Sequence, residues 1–88
     1  MQANGTNDAE IIALQALAAA LEDQRVAERF LSLTGLTAPE LRQRADERWL
    51  LAAVLEFLEN HEPDLLAIAG AIGRRPGDLV AARRALAE

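Results

Sequence analysis

The sequence predicts an all-α fold: a compact bundle of five to six short helices around a central apolar helix. Three observations carry this. Alanine and leucine, both strong helix formers, dominate the 88 residues. Apolar residues recur at spacings of three and four, and no window alternates with period two as a half-buried strand would. Glycine, proline and short polar residues separate the apolar runs at the positions where helices start and stop.

The elements follow in order. Residues 1–6 are polar, include Gly5 and are expected to be disordered, which places a single helical domain at 7–88. Asn7 and Glu10 have the spacing of a capping box, and Ile11, Leu14, Ala18 and Leu21 then fall on one helical face. Asp23 is placed to cap a second helix with Val26, Phe30 and Leu33 as its stripe and Gly35 as its stop. Thr37, Pro39 and Glu40 form a capping box with proline in the first turn, opening a short third helix to about Ala45. Asp46 is placed to cap the fourth, "ERWLLAAVLEFLEN", which is apolar nearly all round and leaves only Glu56, Glu59 and Asn60 as a polar strip. Such a helix belongs in the middle of a fold. Pro63 starts a fifth helix carrying Leu65, Leu66, Ala69 and Ile72 and ended by Gly73, and Pro76 starts a sixth with Leu79, Ala82 and Leu86 inward. Connections of a few residues imply that sequence neighbours pack together.

The composition excludes several chemistries. Without cysteine there is neither a disulfide framework nor a thiolate zinc site. The stretch "FLENHEP", residues 57–63, gathers acids, an amide and the lone histidine, His61, but its proline marks a helix end followed by a turn. Glu59 lies before that turn and Glu62 beyond it, so their carboxylates need not converge. A metal site in a helical bundle needs ligand pairs repeated on facing helices, which one histidine cannot supply. No serine–histidine pairing exists beyond Ser32 and His61, and no glycine-rich loop follows a strand. No catalytic residue, cofactor or metal is therefore expected, and the protein is not expected to be an enzyme. The run Ile11 to Leu21 is too short to cross a bilayer, and no basic residue precedes it as in a secretory signal, so a cytoplasmic protein without a membrane partner is expected.

The net charge of −5 disfavours nucleic acid as a partner, and every one of the nine basic residues is arginine. One segment opposes that trend. In "AIGRRPGDLVAARRAL" the positions of Ala69, Gly73 and Leu79 match a helix-turn-helix corner, and Arg74, Arg75, Arg83 and Arg84 could contact DNA. From Arg74 to Glu88 four arginines face Asp78 and Glu88, a local balance of 4 − 2 = +2. A weak DNA-binding module is thus the alternative reading. The favoured one is protein association, with itself or with a partner, because short helices in so small a chain can hardly enclose every apolar side chain. Phe30, Trp49 and Phe57 are the candidate core or interface anchors.

The segments "ALQALAAAL", "RFLSLTG", "ELRQRA", "LLAAVLEFLENHEPDLLAIA" and "ARRALAE", in that order, cover nearly the whole chain from Ala13 onward. Through them the sequence resembles a family of short bacterial proteins, the domain-of-unknown-function 3572 family. Trp49, His61 and the Arg74–Arg75 pair depart from the family pattern. The resemblance implies a small helical domain and brings no activity or site residues with it.

Overall fold

A computed structural model describes the backbone of residues 5–87 and the side chains of residues 8–87. Six helices account for most of it: α1 (Gly5–Glu22), α2 (Gln24–Thr34), α3 (Ala38–Gln43), α4 (Arg48–Glu59), α5 (Glu62–Ala71) and α6 (Pro76–Ala87). Among the described residues there is no strand, so the fold is an all-α bundle.

Several boundaries follow from local chemistry. The Asp23 carboxylate accepts a hydrogen bond from the Val26 N–H at the start of α2, and Gly35 ends it in the left-handed conformation, with φ 76°. At α3 the Thr37 N–H donates to Glu40 Oε1 at 2.8 Å while the Glu40 N–H donates to Thr37 Oγ1 at 3.3 Å. After α5, Gly73 takes φ 71° and the Arg74 N–H reaches back to the Ala69 carbonyl at 2.9 Å. That bond closes a left-handed helix stop that a side chain at position 73 would strain.

Two expected caps differ. α1 already runs from Gly5, so Asn7 lies inside its first turn rather than at its cap, and of the segment expected to be disordered residues 1–4 lie outside the described structure. Asp46 does not cap α4. It sits within a turn closed by the Glu47 N–H and the Arg44 carbonyl, and Glu47 takes the N-cap position without a side-chain bond.

The core is built on two helices rather than one. α4 packs against α1, α5 and α6, while α1 packs against α2, α4, α5 and α6. α4 buries Leu50, Leu51, Val54, Leu55 and Leu58, which belong to one buried cluster with Phe30 of α2, Leu41 of α3 and Leu79 of α6. α1 presents a different face from the expected one. Ala9, Ile12, Ala13, Ala16, Leu17 and Ala20 are buried, whereas Ile11, Leu14 and Ala18 are exposed. The physical reason is close approach: an alanine face lets neighbouring helix axes draw together, where a face of larger side chains holds them apart. Leu33, expected in the apolar stripe of α2, is exposed, and so is Leu66 among the apolar residues of α5. On α6 the expected Leu79, Ala82 and Leu86 are all buried.

Candidate functional site

Phe30, Trp49 and Phe57, the three aromatic residues, have three different surroundings. Phe30 is wholly buried and is core. Trp49 is half exposed on the first turn of α4, its indole N–H donating to the Glu47 carboxylate. Phe57, near the end of α4, is half-buried, and its ring meets Phe30 at 5.1 Å between centroids with the planes tilted by 52°. The outer side of Phe57 lines an open cleft of about 510 Å³, together with Arg29, Ser32 and Leu33 of α2 and Asn60 and His61 of the turn into α5.

A buried carboxylate organises this cleft. Asp64, in the first turn of α5, is the buried charged residue of the described structure, its side chain only 8% exposed. Its position near a helix N-terminus suits a negative charge. Arg29 Nη2 donates to Asp64 Oδ2, a bond that ties α2 to α5. The same guanidinium lies over Phe57, its carbon 5.2 Å from the ring centroid, a distance at which the ring's negative face attracts a cation. His61 Nε2 stands 3.9 Å from Asp64 Oδ2 on the exposed side. Arginine, ring and carboxylate thus form one stack whose outer surface is the cleft wall. At its mouth Leu33 is 68% exposed.

The arrangement offers hydrogen-bond donors beside apolar surface. None of the six lining residues is acidic, and the one carboxylate beneath them is covered by the guanidinium. Among the described residues no group of three or more His, Cys, Asp or Glu side chains comes together to hold a metal ion. Glu59 of the "FLENHEP" stretch accepts from Arg83 Nε of α6, while Glu62 is exposed on α5.

The four arginines of the last corner do not share one role. Arg83 is engaged with Glu59, and Arg74 Nε donates to Gln15 Oε1 of α1 at 3.4 Å. Arg75 and Arg84 are exposed. A second hollow, of about 500 Å³, lies between α1 and α6 beside this corner, with Ile11, Ile12 and alanines of α6 along it and Asp8, Arg74 and Asp78 among its charged groups.

The sequence names Phe57 as a candidate core or interface anchor and marks His61 only as part of a helix end, while Arg29 and Asp64, which join the two sides of the cleft, stand out by no local signal. An acid one residue after Pro63 is what any helix start prefers, so Asp64 carried no mark of burial. Its partner lies 35 residues away, beyond the reach of any local spacing rule.

A family model described as "Protein of unknown function (DUF3572)" matches residues 6–88. No curated protein and no solved structure matches the chain. The chain belongs to that family, essentially over its whole length.

Proposed function

We propose that this domain is a non-enzymatic, cytoplasmic protein-association module, and that the cleft between α2 and the α4–α5 turn is its binding surface. The observation that carries the reading is Leu33, 68% exposed at the mouth of a cleft whose wall is Phe57. An exposed leucine alone is ordinary, but an exposed leucine beside an aromatic ring and an anchored arginine has the make-up of an interface centre. Arginine and aromatic side chains are the types that carry most binding energy in such patches, and here Arg29 is already fixed by Asp64. A pre-ordered anchor loses little side-chain freedom when a partner arrives. The occupant is a second copy of the chain or another protein.

The test uses Leu33→Asp, an exposed position that leaves the core intact, with Leu66→Asp as a matched control on α5 (51% exposed). Sedimentation velocity reads self-association, and affinity capture from the native host followed by mass spectrometry reads partners. Leu33→Asp should abolish the association that wild type shows, and Leu66→Asp should retain it. Equal behaviour of the two variants, or no association of the wild type by either method, would overturn the reading.

A further inference from the structure

We infer that the segment seated in this cleft is a polypeptide presenting an internal Asp or Glu beside an apolar side chain, an inference that rests on the association reading above. It is carried by the chemistry of the lining. Arg29 can only donate hydrogen bonds, while Ser32 can donate one, the Asn60 amide two and His61 at least one. In a chain with 14 acids against nine arginines, a cleft whose lining holds an arginine and no acid departs from the general charge of the chain. The hollow between α1 and α6, with Asp8 and Asp78 on its lining, shows the contrast.

Arg29 supplies the recognition. Its Nη2 is held by Asp64, yet the side chain is still 40% exposed at the cleft wall. A guanidinium has five N–H donors in a fixed fork, so one carboxylate beneath it does not exhaust it. The arginine stacked on Phe57 therefore presents donors in a set direction to a second carboxylate. Leu33 and Phe57 supply the apolar contact alongside. The cleft is open at the surface rather than closed around a chain end, which suits a segment passing over it and so an internal acid rather than a C-terminal carboxylate. The net charge of −5 opposes an acidic segment at long range, but at physiological salt that repulsion is screened beyond about 8 Å.

The test is a selection on the full chain from a random library of N-acetylated, C-amidated heptapeptides, followed by NMR titration of the best binder. Retained sequences should be enriched in Asp or Glu next to Leu, Ile or Phe, and the peptide should move the amide signals of Leu33, Phe57, Asn60 and His61. Replacing its acid by the amide should weaken binding about tenfold, the scale of a charge-assisted hydrogen bond. Leu33→Glu, which brings an acid into the cleft mouth, should remove binding, and Arg29→Lys, which keeps a cation beside Asp64 without the fork, should weaken it. Peptides retained without acid enrichment, or acid and amide forms binding alike at the cleft, would overturn the inference while leaving the association reading standing. An amide peptide that binds only when its C-terminus is freed would overturn the internal-acid source. No retained peptide, with Leu33→Asp still blocking association, would sink the carboxylate alone. Loss of the Leu33 effect would sink both.

Discussion

Asp64 and Arg29 show how one pair of charges can join two helices at a candidate site. A carboxylate with 8% of its side chain exposed has lost most of its water, and the guanidinium from α2 is the hydrogen-bonded cation that offsets that loss. Removing the arginine should therefore cost more than removing both partners. Arg29→Met should lower stability by about 1–3 kcal/mol, the penalty of a buried acceptor left without a donor. Adding Asp64→Leu to that variant should recover most of the loss, because an apolar replacement of both partners is often neutral. Urea unfolding of the two single variants and the double variant gives the coupling directly; a double variant no more stable than Arg29→Met would show that the pair is not what matters there. Leu55 is the plain apolar counterpart. At 1% exposure in the core face of α4, Leu55→Ala should cost about 2–5 kcal/mol, a large share of a small domain's stability. Leu55 was legible from its place in an apolar helix, whereas the burial of Asp64 was not, since its cause lies in another helix.

At the level of elements, the boundaries set by side chains bonding their own backbone were the readable ones. Asp23, Gly35, Thr37, Glu40 and Gly73 each act within a few residues of themselves. The choice of buried face on α1 was not readable, because both faces are apolar and only packing against α4 and α6 decides between leucines and alanines. The observed choice makes a checkable claim. Ala16→Leu, at a position with no exposure, should cost about 1–3 kcal/mol through overpacking, and Leu14→Ala, 41% exposed, should cost less than about 1 kcal/mol. The reverse order of unfolding midpoints would mean that the leucine face is the one that packs. The α3 cap adds a pH signature. The Thr37 backbone N–H, and then its hydroxyl, bond the Glu40 carboxylate and lower its pKa from the ordinary 4.5, with desolvation opposing and Arg44 adding the smallest pull. A carboxyl whose folded pKa is depressed contributes stability above its unfolded value and loses it as pH falls through the folded one. The gap in thermal midpoint between wild type and Glu40→Ala should therefore be steady from neutral pH to just above 4.5 and narrow below it. A gap independent of pH would show that the charge of Glu40 does not enter the cap.

For the whole molecule, the arginines are the informative set, because so many of them join parts of the chain that are distant in sequence. Arg29 joins α2 to α5, and Arg83 joins α6 to α4. Arg48 donates from α4 to the Ala85 and Leu86 carbonyls at the end of α6, at 3.0 and 2.9 Å, and Arg74 reaches Gln15 on α1. The forked guanidinium suits this use, since it can satisfy two acceptors at once at a helix end. It also bears on the DNA alternative. Of the four arginines in the last corner, Arg74 and Arg83 already have partners within the domain, and only Arg75 and Arg84 stand exposed. Affinity for duplex DNA comes largely from neutralised phosphates, and two exposed cations on a chain of net charge −5 supply few. We predict no duplex binding tighter than about 10 µM at physiological salt, within the non-specific range. A mobility-shift titration at several salt concentrations checks this. If the corner did read DNA, replacing Arg75 and Arg84 by glutamine would flatten the salt dependence by about 0.9 per lost phosphate contact. Sub-micromolar, sequence-selective binding lost in that variant would move the proposed binding surface from the Phe57 cleft to α6.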